Sequence, residues 1–197
     1  MRYNLFTFIV VVILMTCNLL GCNLRKSDES KIRDEFDIPH SAQVLSYLTK
    51  PEKPGWFGRE GLKITMVFQL NDNDFETYFM AVSQSSDWSQ LPIPGPLLER
   101  MGAIKSRKRS RVESYKARGE TEPPEGSIYN PTEQQMLEQF MASLPPQPQN
   151  GLFQVLTAGD DIMNAKTRIY RRTDRDINDF MLAMLDYDHK QIVIRVS

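Results

Sequence analysis

Histidine and cysteine are scarce in this sequence, which has two residues of each among 197. His40 stands beside a proline, and His189 lies in a predicted turn. The sequence also lacks a Gly-x-Ser-x-Gly elbow, a glycine-rich phosphate loop, a His-Glu-x-x-His zinc motif and a Cys–His arrangement. We therefore expect a protein that is not an enzyme and that has no cofactor and no metal site.

Acidic residues are concentrated at Asp160–Asp161 and again at Asp174–Asp179. The second group resembles a calcium loop in its alternating oxygen ligands, but an Asp stands where such a loop needs glycine, and Leu185 stands where it needs the closing glutamate. Turns and helix caps explain both groups better. Because paired acids can serve hydrolysis, a hydrolase that uses Asp160 and Asp161 with His189 is the alternative.

No apolar run in the sequence is long enough to predict a transmembrane helix. The first run extends at most from Leu5 to Leu20, which is shorter than the roughly 20 residues that span a hydrocarbon core of about 30 Å. One basic residue, Arg2, precedes the run, and this order is typical of a secretory signal peptide. The N-terminus therefore predicts export of the chain.

The apolar run ends in Leu19-Leu20-Gly21-Cys22, with a small residue just before the cysteine. This segment resembles the lipobox of bacterial lipoproteins. The resemblance implies cleavage between Gly21 and Cys22, a diacylglyceryl group on the Cys22 thiol and acylation of the new amino terminus. A plain cleaved signal peptide or a buried helix with an incidental cysteine is the alternative.

Lipidation at Cys22 would anchor the chain to a membrane, since each buried methylene of an acyl chain contributes on the order of 0.8 kcal/mol. Cys22 is followed by Asn23, whereas enterobacterial lipoproteins kept at the inner membrane carry Asp at that place. The resemblance thus implies a cell-envelope protein, in the outer membrane facing the periplasm if the cell has one, and otherwise on the outer face of the cell membrane. Residues 22–36 are highly charged and predict a flexible tether.

Positive charge is concentrated in one segment, although the formal net charge of the chain is −1. The segment has seven basic residues and one acidic residue, Glu113; the basic ones are Lys105, Arg107, Lys108, Arg109, Arg111, Lys116 and Arg118. On a lipid-tethered protein such a segment could bind anionic lipid or an anionic envelope polymer. A solvated helix or loop whose charges serve solubility is the other interpretation. Nucleic acid is not expected, because neither interleaved aromatic residues nor a binding motif accompany the charges.

Hydrophobic periodicity predicts the folded part of the chain. Alternating apolar residues predict strands at residues 63–70 and 191–196, and a further strand is predicted at residues 152–157. Residues 180–186 are apolar on both faces and are predicted to form a hairpin with residues 191–196. Helix starts are predicted at Asn73 and at Asn130. Together, these strands and helices predict an α+β fold, with an antiparallel sheet of about four to six strands and two main helices on one face.

The predicted organisation is a cleaved signal peptide (residues 1–21), a lipidated tether (residues 22–36) and one globular domain (residues 37–197). That domain contains a basic and proline-rich excursion near residues 102–131. The function that fits this organisation is a lipid-anchored binding or assembly module of the cell envelope, without enzymatic activity. The sequence identifies neither its ligand nor a protein partner.

Overall fold

The computed structural model describes residues 27–51, 62–158, 162–163, 166–171, 175–177 and 179–197. The chain divides into two units, Met1–His40 and Ser41–Ser197. Within the described ranges, no helix combines the length and apolar character needed to cross a bilayer. The predicted signal peptide, the lipobox and residues 22–26 of the tether lie outside these ranges.

In the first unit, residues 27–36 form helix α1, where the charged sequence predicted a flexible tether. Ion pairs one helical turn apart join Lys31 to Glu35 and Arg33 to Glu29. Such pairs support a helix in which few residues are apolar. Arg33 Nη1 also donates a hydrogen bond to the carbonyl oxygen of Pro39, at 2.6 Å. The alternating charges that suggested flexibility therefore stabilise a helix.

The second unit contains a sheet of seven antiparallel strands in the order β1-β2-β7-β6-β4-β3, with β5 also paired to β4. The strands are β1 (Gln43–Pro51), β2 (Leu62–Gln69), β3 (Ser89–Gln90), β4 (Gly151–Thr157), β5 (Arg168–Ile169), β6 (Phe180–Asp186) and β7 (Gln191–Val196). The predicted α+β fold with an antiparallel sheet is confirmed. The β6–β7 hairpin and strand β2 lie where the alternation of apolar residues placed them.

The described residues of this unit form four helices: α2 (Asp72–Gln84), α3 (Gly95–Met101), α4 (Ile104–Arg118) and α5 (Glu133–Ser143). Two of them begin at a different cap from the predicted one. Asn71, not Asn73, caps α2 and accepts a hydrogen bond from the amide of Asp74 at 2.9 Å. Thr132, not Asn130, caps α5 and forms a capping box with Gln135.

Helices α3, α4 and α5 pack against one face of the sheet. Their contribution to this core includes Leu97, Leu98 and Met101 from α3, Ile104 from α4, and Met136 and Phe140 from α5. The sheet contributes alternate residues of two neighbouring strands: Phe153 and Val155 of β4, and Phe180, Leu182 and Met184 of β6. Lys63 and Thr65 of β2 and Arg195 of β7 lie on the same face of the sheet as Leu182, because Arg195 pairs with both Thr65 and Leu182.

Candidate anion-binding cleft

Helix α4 carries the seven basic residues predicted as an anionic-surface site, and its first turns are fixed in place. Ile104 is buried in the core. Ser106 Oγ and Arg100 Nη1 both donate to the carboxylate of Asp176, the latter at 3.2 Å. Burial raises the pKa of Asp176, but the hydrogen bonds from Ser106 and Arg100 outweigh burial and hold this pKa below its usual value.

Three of the seven basic residues on α4 are engaged in ion pairs at its surface. Lys108 lies 2.5 Å from Glu125, Arg118 lies 2.9 Å from Glu120, and Lys105 lies 4.0 Å from Glu99. The hydrogen bond to Glu125 raises the pKa of Lys108. These three cations are therefore partly neutralised by nearby carboxylates.

The remaining four basic residues divide between two sides of the helix, as the 3.6-residue period requires. Arg109 and Lys116 are exposed and form no ion pair with a described residue. Arg107 and Arg111, one turn apart, line a cavity of about 250 Å³ between α4, α5 and the sheet. We call this cavity the basic cleft.

The sheet side of the basic cleft contributes two further cations, Lys63 of β2 and Arg195 of β7. Thr65 is the pairing partner of Arg195, and Lys63 lies two residues before Thr65, so the three side chains share one face of the sheet. Arg195 is only 6% exposed, and its Nη1 donates to Thr65 Oγ1 at 3.2 Å. The sheet thus holds a buried guanidinium opposite the two arginines of α4.

The rest of the basic cleft is formed by hydrogen-bonding groups and by the edge of the core. Gln139 and Ser143 of α5 and Ser197 after β7 provide polar groups, and the apolar wall consists of Met101, Met136, Phe140, Leu144 and Phe180. Among the described residues, no acidic side chain lines this cavity. The charged side chains that line this cavity among the described residues are therefore all basic, and such a lining favours a positive potential inside it.

A second cavity, of about 220 Å³, shares part of its wall with the basic cleft. The shared residues are Lys63, Ser143, Leu144 and Arg195, and the others are Leu48, Thr65, Ala142 and Pro145. We call this second cavity the apolar groove, because Leu48, Ala142, Leu144 and Pro145 present hydrocarbon to it. Leu48 pairs with Thr65 across strands β1 and β2, so it lies on the same face of the sheet as Arg195.

His189, the histidine of the alternative hydrolase site, lies in the turn between β6 and β7. Its Nδ1 is 2.7 Å from Asp186 Oδ2, while Asp186 Oδ1 accepts hydrogen bonds from the amides of Asp188 and His189. The hydrogen bond with Asp186 raises the pKa of His189. The His189 side chain is 71% exposed and lines neither cavity. Its observed contacts close the hairpin turn; Asp160 and Asp161 lie outside the described residues.

The predicted basic site and the observed cleft overlap in Arg107 and Arg111 alone. Lys63 and Arg195 were not predicted as site residues, although the alternation of β7 placed Arg195 on the face opposite Ile194. That signal shows which face a residue occupies, but it does not show which helices cover that face. The prediction therefore lacked the tertiary packing of α4 and α5 over that face.

Neither a group of metal ligands among the described residues nor a matching protein indicates the function. In the part of the chain that the structure describes, no three His, Cys, Asp or Glu residues are grouped as metal ligands. Comparison with models of protein families, with curated proteins and with solved structures gives no match. The basic cleft is therefore the feature of the described structure that bears most directly on function.

Proposed function

We propose that this chain is a lipid-anchored protein of the cell envelope whose globular part binds an anionic ligand in the basic cleft. The observation that carries the binding proposal is the convergence of four cations, Arg107, Arg111, Lys63 and Arg195, on one cavity. The anchor is supported by the lipobox resemblance at Gly21-Cys22. The proposed function is binding or assembly, as the sequence suggested, and it does not involve a chemical reaction of the ligand.

The two arginines of α4 support this proposal because their placement costs stability in the absence of an anion. Like charges four residues apart destabilise an isolated helix by about 0.2–0.5 kcal/mol. Neither Arg107 nor Arg111 forms an ion pair with a described residue. An anion between them would replace this repulsion with two charge-assisted hydrogen bonds, which are roughly twice as strong as neutral ones.

The chemistry of the lining groups favours binding over proton transfer. Arginine remains protonated at physiological pH, and its planar guanidinium matches the oxygen pairs of phosphate and carboxylate groups. Ser143 and Gln139 can add neutral hydrogen bonds to the same anion. Such groups hold and orient a ligand, and the envelope offers suitable anions on its lipids and polymers.

The binding proposal is tested with the lipidated protein in nanodiscs of zwitterionic lipid, titrated with inorganic phosphate in a calorimeter. Arg107→Gln/Arg111→Gln should weaken binding by about 10- to 100-fold, since at each position a charged hydrogen bond of about 1.5–3 kcal/mol is replaced by a neutral one of about 0.5–1.5 kcal/mol. Arg109→Gln/Lys116→Gln is the matched control, because it removes the same charge from the same helix outside the cleft. We expect this control to bind phosphate as the unaltered protein does.

Equal weakening in both double variants would show a diffuse effect of net charge and would contradict binding in the cleft. Raising the salt concentration separates the two cases further. A diffuse surface interaction between exposed charges is screened within about 10 Å at 0.1 M salt. Binding that involves the buried Arg195 should retain more of its affinity under the same conditions.

A further inference from the structure

The basic cleft and the apolar groove are joined by a common wall, and the two differ in chemistry. Lys63 and Arg195 line both cavities, and so do Ser143 and Leu144 at the end of α5. A ligand that extends beyond the cations therefore passes directly along Leu144 toward Leu48 and Pro145. One molecule can contact both cavities without a change in the fold.

The far side of the apolar groove contains an exposed leucine. Leu48 of β1 is 60% exposed and lines this cavity beside Ala142 and Pro145. An apolar ligand segment placed here would remove hydrocarbon of both partners from water, which favours binding in proportion to the area covered. The groove thus fits an apolar segment, next to a cleft that fits an anionic group.

The number and type of cations indicate the anionic group. Three guanidinium groups, those of Arg107, Arg111 and Arg195, approach the cleft from helix and sheet. A tetrahedral phosphate presents oxygens in several directions, so it can accept from arginines on opposite walls, whereas a planar carboxylate presents two oxygens on one side. The cavity of about 250 Å³ also leaves space for atoms esterified to the phosphate.

We infer that the ligand is a phosphate ester with an apolar tail, whose phosphate occupies the basic cleft and whose tail lies in the apolar groove. This inference rests on the anion binding proposed above and adds the class of ligand. A phospholipid headgroup region and a soluble alkyl phosphate share this chemistry. The following titrations distinguish these two sources.

The test measures the affinity of the nanodisc-bound protein for inorganic phosphate and for ethyl, butyl and hexyl phosphate. We expect affinity to rise by about threefold to fourfold for each methylene that the groove covers. Binding that is equal for all four compounds would overturn the inference and would leave the proposed anion binding intact. Absence of binding for all four, phosphate included, would overturn both.

The Leu48→Ser variant tests whether the dependence of affinity on alkyl chain length arises in the apolar groove. This variant should bind inorganic phosphate normally and lose most of the dependence on chain length. Leu45→Ser is the matched control, because Leu45 is in the same strand, is 54% exposed and lines neither cavity. A chain-length dependence that survives in Leu48→Ser as fully as in Leu45→Ser would contradict the assignment of the tail to this groove.

The source of the phosphate ester is tested by competition between hexyl phosphate and a water-soluble, short-chain phosphatidic acid. Tighter binding of the phosphatidic acid supports the inference with a lipid as the ligand. Tighter binding of hexyl phosphate supports it with a soluble ester. If hexanol competes as well as either compound, the phosphate contributes nothing and the inference is wrong.

Discussion

His189 and Asp186 show how one residue pair closes the β6–β7 hairpin. The Asp186 carboxylate is buried and accepts two backbone amides of the turn as well as the imidazole. The hydrogen bond that the His189 imidazole donates to this carboxylate raises the pKa of His189 above the ordinary value of 6.5. Protonated His189 therefore stabilises the folded chain more than neutral His189 does.

The pair makes stability depend on pH in a defined direction. Because the pKa of His189 is higher in the folded than in the unfolded chain, its contribution is complete below about pH 6.5 and is lost as the pH rises through the raised value. Asp186→Asn keeps an acceptor for the turn amides but removes the charge, so it should lower the pKa of His189. NMR titration of the imidazole in both proteins measures this change, and an identical pKa in the two would show that Asp186 does not cause the shift.

Arg195 shows what the alternation of apolar residues along a strand can and cannot predict. The pattern of β7 puts Arg195 on the opposite face from Ile192 and Ile194, which the structure confirms. A charged residue on such a face is usually solvent-exposed, yet Arg195 is buried between the sheet and α5. The position of α5 follows from its own packing on β4 and β6, and no local pattern near Arg195 records it.

The orientation of helix α4 determines which residues of the basic segment line the cleft. Its sequence shows seven basic residues but not which two face the sheet, because the rotation of the helix is set by Ile104 and by contacts of its first turns. Ser106 of α4 donates to Asp176, which also accepts from Arg100 of α3, so this carboxylate links the start of α4 to α3. The basic segment could thus be predicted from sequence, whereas the selection of Arg107 and Arg111 could not.

Removing the carboxylate of Asp176 should loosen the start of α4. Asp176→Asn replaces charge-assisted bonds to Ser106 and Arg100 with neutral ones, and we expect it to lower the free energy of unfolding by about 1–2 kcal/mol at pH 7. Because the folded-state pKa of Asp176 is lowered, this contribution is present above its ordinary pKa and is lost as the pH falls through the lowered value. The difference between variant and unaltered protein should therefore shrink below pH 4.

Urea unfolding at pH 7 and at pH 3 measures this difference, with Asp34→Asn as a control at an exposed position on α1. Hydrogen exchange adds a local measurement, since faster exchange should be confined to the first turns of α4. A stability loss in Asp176→Asn that is the same at both pH values would contradict a role for the ionised carboxylate.

The elements themselves were predictable to different degrees. Strands β2, β4, β6 and β7 have buried residues in clear alternation or in continuous apolar runs, and their positions match the expectation. Helix α1 was missed because its charged segment was interpreted as a solvated spacer, whereas Ile32 and Phe36 are buried and ion pairs one turn apart join its charged residues. Burial produces a recognisable pattern in the long strands, but two buried residues among many charged ones do not.

At the scale of the whole molecule, we propose an acyl anchor at Cys22 together with an anion-binding cleft in the Ser41–Ser197 unit. Such an anchor would confine the domain near membrane lipids and raise their effective concentration around it. Both the location of the protein and the ligands it meets would then depend on the modification of Cys22.

The measurement that tests this claim most directly is the intact mass and N-terminal composition of the protein purified from cells fed labelled palmitate. We predict a mature chain that begins at Cys22 and carries the label, and an unlabelled product when Cys22 is changed to Ser. A mature chain that begins at another residue, or an unaltered protein that stays unlabelled, would contradict the lipid anchor and with it the proposed location.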